Sequence, residues 1–431
     1  MPTRWTLVAP KGVRELPEVK ALIAARATRF TVEVIEFDPA EGTAESRLAV
    51  VRARFAKAPA GATASASATT DQVLVIGSPE FISMGPWNFA GVKQPIATDW
   101  LLTTNLEIGK AVDPVTGWQA ALSEPALRTV GRLPFDDTKM VSLAAQATLE
   151  HDRNSQAAIG TAVLGASGTA YAWPMASARR QLQDSGWDAL LFGEGGSCDR
   201  SPRDFMPAWQ GTTGNPVASL VVAAGPSYSA LNDGGPARGV RLLVRPAATS
   251  SAPASILVAF TPSFARPESP DIPDLMARKQ TAAIAGFTAD ISASPLSPAL
   301  ESMVNIPRQL AHGTPVGLVI ESERRAYWAR ASSDLMSWMP TAKEDRALLA
   351  LSAVLYGDPA LQTCKTPRTT LTIADPSDTS VLVTDTAFGE SITDKPASTS
   401  GMSGRAFALT VALFAALVAL AAAWASRRKD S

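Results

Sequence analysis

The sequence predicts an α/β fold, two doubly wound subdomains side by side, with a transmembrane helix at the C-terminus. Three observations predict it. Over residues 5–78, short apolar runs that end in glycine or proline alternate with stretches of helical spacing, the order of a wound parallel sheet. From residue 157 the same alternation resumes in form, without any sequence repeat. Near its end the sequence carries 20 uncharged residues, Ala406 to Ala425, enough for a helix of about 30 Å, the thickness of a hydrocarbon core.

The elements follow in order. "WTLVAP" (5–10) is an apolar run with a proline stop, and "TVEVIEF" (31–37) alternates with β-branched residues; both read as strands. Between them Val19, Leu22, Ile23, Ala27 and Phe30 recur at helical spacing. "ESRLAVVRARFAKA" is a second amphipathic helix, and "GATASASATT" (61–70) a polar loop. "DQVLVIGS" (71–78) is the continuous apolar run of a strand buried on both faces. In the second half, "AAIGTAVLGAS", "WDALLFGE", "VASLVVAAG" and "ASILVAF" read as strands, and "PMASARRQLQDSG" as a helix with Gly186 at C′. "PALESMVNIPRQLAHGT" and "DRALLALSAVLYGDPAL" (345–361) read as helices, the second stopped at Gly-Asp-Pro.

The expected organisation is a first subsegment at 1–150, a second at 151–365, a short β extension at 366–385, and a Ser/Thr/Gly-rich linker at 386–404. A span at 405–426 and a basic tail at 427–431 complete it; Trp424 and "RRK" flank the span as interfacial anchors do. The opening "MPTRWTLVAPKGVREL" lacks the apolar stretch of a secretory signal. The expectation is a single-pass C-terminal anchor holding a cytoplasmic domain at the membrane.

Composition removes several function classes. With 39 basic and 40 acidic residues and no basic cluster, nothing favours nucleic acid. Two cysteines, Cys198 and Cys364, make neither a disulfide framework nor a zinc site. No metal-ligand cluster and no cofactor motif is evident; "GEGGS" (193–197) lacks the lysine of a phosphate loop. Two histidines, His151 and His312, bound all imidazole chemistry.

Four ordered stretches carry a resemblance: the opening strand–helix–strand to "DQVLVIGS"; "IATDWLLTT" (96–104) with "VGRLPFDD" (130–137); "TAAIAGFT" through "LAHGTPVGLVIESERRAYW"; and "LSAVLYGDPALQ" (351–362). Together they resemble the gingipain-type cysteine peptidases, whose fold is similar to that of caspases, across about Thr3 to Gln362. Within these stretches Pro134 ends strand pairing. Arg132 bridges subdomains or lies on the surface. Asp358 caps or closes a turn.

The resemblance implies a cysteine thiolate with a histidine beside it. It places the histidine in a Gly-His-Gly turn after one buried strand and the cysteine after the next. At the matched positions stand Pro226, after Gly225, and Thr261, Pro262 and Ser263, after "ASILVAF". Proline has no ionisable group, and none of the other three is a thiol. The expectation is therefore a membrane-anchored peptidase-fold protein without catalysis, acting by binding a protein partner whose identity the sequence does not give. Two alternatives stay open. One is an active endopeptidase with a relocated Cys198/His151 pair. The other is a membrane-tethered α/β module that binds a ligand. His312 is expected to cap a helix C-terminus.

Overall fold

The computed structural model describes residues 4–56, 70–89, 91–104, 118–123, 126–155, 160–193, 196–209, 218–225, 254–269, 271–277, 281–289, 299–332 and 340–363. All of them belong to one compact unit, Met1–Thr379. The predicted β extension, linker, membrane span and basic tail lie outside the described residues. Among the described residues no helix is long and apolar enough to cross a membrane.

The first half contributes strands β1 (Arg4–Pro10), β2 (Thr31–Phe37), β3 (Asp71–Ile76) and β4 (Arg128–Leu133). The second contributes β5 (Thr161–Ala166), β6 (Asp188–Gly193), β7 (Leu220–Ala224), β8 (Ser255–Phe260), β9 (Thr281–Phe287) and β10 (Ala353–Gly357). All ten form one sheet, in the order β2-β1-β3-β4-β10-β9-β8-β7-β5-β6. Pairing is parallel among β1–β4 and among β5–β9. β10 runs antiparallel to β9 and meets β4 at one pair, Tyr356 opposite Arg132. The mostly parallel α/β sheet expected from the sequence is therefore present. The strands at 71–76, 220–224 and 255–260 share it, as their unbroken apolar runs require.

Helices cover both faces. On one, α1 (Pro17–Ala27) packs on α4 (Thr138–Asn154) over Trp5, Leu7, Leu74 and Leu257. On the other, α5 (Thr169–Asp184), α8 (Ala299–Ala311), α9 (Val316–Ser332) and α10 (Pro340–Ser352) bury Leu164, Val222, Ile256 and Phe287. At the outer end α2 (Ala44–Ala56) covers Ile35 and Phe37 with Leu48 and Phe55.

Two elements differ from the sequence reading. The single helix expected over 345–361 is α10 followed by β10. Ala353–Gly357 is wholly buried between β4 and β9, and Val354 and Tyr356 are compatible with a strand. An apolar run of this length reads as either; the sheet position decides. The second difference is α5, which starts at Thr169, not at Pro174. Pro174 sits inside the helix and removes one i→i−4 bond, a loss offset by burial of Tyr171, Ala172 and Met175. Gly186 does follow this helix with φ 81°, as its predicted C′ role demands.

The two halves meet where β4 touches β10, and glycine makes the approach possible. A Cβ on Gly131 would lie 2.1 Å from the Gly357 carbonyl oxygen, and Gly357 itself has φ 114°.

Candidate functional site: the finishing ends of β7 and β8

Strand direction gives the sheet a starting and a finishing edge. On the finishing edge the ends of β5, β7 and β8 line up. The Ser167 amide donates to the Ala224 carbonyl at 2.8 Å, and the Gly225 amide to the Phe260 carbonyl at 3.3 Å. Ala224 and Phe260 are register partners. The chain therefore leaves β7 at Gly225 and β8 at Thr261 on neighbouring strands, side by side. These are the strand ends after which the resemblance places histidine and cysteine. Pro226 lies outside the described residues, one position beyond Gly225.

The second turn is fully described and carries no thiol. Thr261 is completely buried, and among the described residues its Oγ1 has no hydrogen-bond partner. Pro262 is half-buried. Ser263 has φ 55° and its amide donates to the Ala289 carbonyl at 2.8 Å. It is the one non-glycine residue with positive φ among the described residues. A left-handed residue straight after a buried strand makes a sharp elbow, and here a serine sits on it.

No imidazole reaches this edge. His151 is 1% exposed near the C-terminus of α4. Its Nδ1 lies 2.8 Å from the Ala254 carbonyl, just before β8 begins, and its Nε2 3.2 Å from the Gln362 carbonyl. Thr261 is seven residues further along β8 from Ala254, about 23 Å at about 3.3 Å per residue. Burial pushes the His151 pKa down, against the carbonyls and Asp152, which favour the charged ring. His312 follows Ala311, whose carbonyl accepts from Trp187 Nε1 just before β6 starts, so it too belongs to the starting edge.

Cys198 follows the finishing end of β6, where Phe192 bridges Arg200. β5 and β7 separate it from β8, about 14 Å at about 4.8 Å per strand. Burial and then Asp199 raise its thiol pKa, opposed by Arg179, which ion-pairs with Asp199. A raised pKa keeps the sulfur protonated, the opposite of an activated nucleophile. The structure does not bring Cys198 and His151 together: they stand at opposite edges of the sheet. Cys364 lies outside the described residues.

The two residues singled out inside the resembling motifs are both buried. Arg132 is fully enclosed, not on the surface. Its Nε and one terminal nitrogen grip Asp99 at 3.0 and 2.6 Å, and the other bonds the Gly77 carbonyl at 2.9 Å. Asp358 does close its turn, accepting from the Ala360 amide at 2.9 Å. It also holds Arg26 Nε at 2.6 Å and Trp5 Nε1 at 3.1 Å, while Arg26 reaches Asp152 at 2.5 Å. Burial alone would lower the Arg26 pKa, but the two carboxylates outweigh it and raise it. Sequence reading missed Arg26 and Asp152. A signal existed: Arg26 continues the buried stripe of Val19 and Leu22 on α1, and a charge on an apolar stripe implies a buried partner.

Under β8 and β9 lies a small cavity lined by Phe260, Phe287, Ile320, Glu323 and Tyr327, with about 10 Å³ of free interior. That is room for about one water, far below a small-molecule site. Among the described residues no group of three His, Cys, Asp or Glu could hold a metal.

The fold has counterparts among solved structures. The crystal structure of the Arg-specific cysteine proteinase gingipain R is similar with a TM-score of 0.53 at 13% identity, covering 84% of this chain and 78% of that one. The fold is that of the gingipain-type cysteine peptidases. A second solved protease matches this gingipain-type fold with a TM-score of 0.54 at 11% identity over the same shares. No protein-family model and no curated protein matches the chain. At this identity the gingipain-type likeness is one of fold, and chemistry has to be read from the turns themselves.

Proposed function

We propose that this is a peptidase-fold protein without peptidase activity, a membrane-anchored module that acts by binding another protein. One observation carries the reading. The chain leaves β7 at Gly225 and β8 at Thr261 on neighbouring strands, and the described turn after β8 offers Thr261, Pro262 and Ser263 in place of a thiol. Three further points support it. Pro226, beside Gly225, has no proton to exchange. Both histidines of the chain are at the starting edge. A serine on an elbow needs a base to activate it, and neither imidazole is on its edge. The anchor rests on the 20 uncharged residues Ala406 to Ala425 and the basic residues after them, with the domain on the cytoplasmic side.

The test is a turnover assay on the full chain in detergent with a mixed peptide library and a thiol-directed active-site probe. The expected result is no cleavage above a heat-denatured control and no labelling that Cys198→Ala abolishes. Cleavage that survives purification and is lost in Cys198→Ala would overturn the reading in favour of a relocated nucleophile.

A further inference from the structure

His151 is buried between two acceptors. Its Nδ1 lies 2.8 Å from the Ala254 carbonyl and its Nε2 3.2 Å from the Gln362 carbonyl, both at hydrogen-bonding geometry. A carbonyl oxygen can only accept, so each contact is a bond only when that ring nitrogen carries a proton. A neutral imidazole has one N–H, and its other nitrogen presents a lone pair. It satisfies one carbonyl and turns the lone pair on the other. Only the imidazolium bonds both.

In the neutral ring the proton belongs on Nδ1, whose contact is the shorter. The Gln362 carbonyl is then left out, and it has no other hydrogen-bond donor among the described residues. Gln362 lies at the end of the segment 358–363, which docks on the start of α9. There the Val316 amide donates to the Leu361 carbonyl at 2.9 Å and the Gly317 amide to the Pro359 carbonyl at 3.0 Å. The Gln362 side chain is tied separately, accepting from Arg29 at 2.9 Å and donating to the Gly313 carbonyl at 2.6 Å. Among the described residues, the bond from the Gln362 main chain to α4 depends on the state of one ring.

The charges around that ring come from several elements. Arg26 on α1 opposes a charged imidazole and Asp152 on α4 favours it; Arg26 is itself held by Asp152 and Asp358 at 2.5 and 2.6 Å. Arg29, just past α1, reaches Gln362. Glu150 and Arg153 flank His151 along α4. The short helix Asp271–Ala277 and β9 also pack on α4; the first carries Asp271 and Asp274 and the second no charge. Burial is the largest influence and opposes charging, so the ring gains its second proton below about pH 6.5.

We propose that His151 is a proton-operated clamp: on gaining its second proton the ring donates through Nε2 to the Gln362 carbonyl and tightens the segment 358–363 against α4 and the start of β8. Charging the buried ring weakens the fold as a whole, and the new bond offsets part of that loss at this one contact. The proposal is independent of the membrane anchor and of whether the finishing edge is catalytic.

The chain has two histidines, so ring-nitrogen NMR of the full chain in detergent, labelled at histidine and assigned with His312→Gln, follows both nitrogens of His151. The expected result is a single N–H, on Nδ1, at about pH 8, and two at a lower pH where the chain is still folded. Amide exchange supplies the second readout. Protection at Val316 and Leu361, taken relative to β3 amides that report the whole fold, should rise about tenfold through the same midpoint. His151→Gln should remove that step. A ring that stays singly protonated until acid unfolds the chain overturns the proposal. So does a ring already doubly protonated at about pH 8, which makes the contact permanent. Protection at Val316 and Leu361 that ignores the His151 midpoint, or a step that survives in His151→Gln, overturns it equally; the parent chain decides if the variant does not fold.

Discussion

The two edges of the sheet carry opposite kinds of chemistry. At the starting edge, Trp5, Arg26, Asp152, Asp358 and His151 form a dense, buried, charged network in which nearly every polar atom has a partner. At the finishing edge the described turn after β8 has a proline, a serine on an elbow and a threonine hydroxyl with no partner among the described residues. Among the described residues, the titratable groups of the starting edge hold the chain, and the turn after β8 carries none. A fold needs the first set to exist at all. The second set is optional for folding, so a chain can keep this architecture and lose the reaction.

The comparison breaks most visibly at Asp358. Replacing it with alanine leaves Arg26 buried with only Asp152, and strips Trp5 Nε1 and the Ala360 amide of their acceptor. Removing one partner of a buried pair costs about 3–5 kcal/mol. The urea midpoint of Asp358→Ala should fall accordingly; a loss under about 1 kcal/mol would show that the starting edge is not the stabilising one.

Arg132→Lys should cost less, about 2 kcal/mol. A lysine keeps the charge near Asp99 but gives up the two-pronged grip and one carbonyl bond. Equal stability of Arg132→Lys and the parent by chemical denaturation would reduce this pair to a simple charge contact.

How much of this was legible depended on the kind of signal. Strands buried on both faces announce themselves as unbroken apolar runs, so β3, β7 and β8 could be placed from residues alone. β10 could not, because "ALSAVLYG" suits a helix end or a strand equally and only its slot between β4 and β9 decides. The end of β8 at Thr261 was legible because it follows an apolar run directly, while the residues after Gly225 lie outside the described ones. The roles of His151 and Arg132 were not: a side chain's burial and partners depend on segments more than 30 residues away, Ala254 and Gln362 for one and Asp99 for the other.

A pH titration sharpens the comparison at His151. Its folded pKa lies below the ordinary value near 6.5 because burial disfavours the charged ring. Between the folded and unfolded values the unfolded chain binds more protons, so stability rises with pH there. The contribution is complete above about pH 6.5 and is lost as pH falls through the folded value. His151→Gln keeps a donor toward Ala254 and should flatten this part of the stability profile. His312 is shifted the same way, mainly by burial, so His312→Gln is the control, with a smaller effect expected from its half-exposed site. An unchanged slope in His151→Gln would move the titration away from the network.

The smallest effect is expected at the finishing edge, and its size is the point. Thr261→Val exchanges a hydroxyl for a methyl of nearly the same shape. Where a buried hydroxyl is bonded, its removal strands a partner and costs about 1–3 kcal/mol. Thr261 Oγ1 has no partner among the described residues, so nothing is stranded, and losing an unpaired buried polar atom is neutral or stabilising by up to about 1 kcal/mol. A denaturation midpoint unchanged or raised is the expected result. A loss of more than about 1 kcal/mol would mean the hydroxyl is bonded after all, by a water or by the neighbouring turn beyond Gly225. The finishing edge would then be as carefully satisfied as the starting one, and the contrast between them would fail.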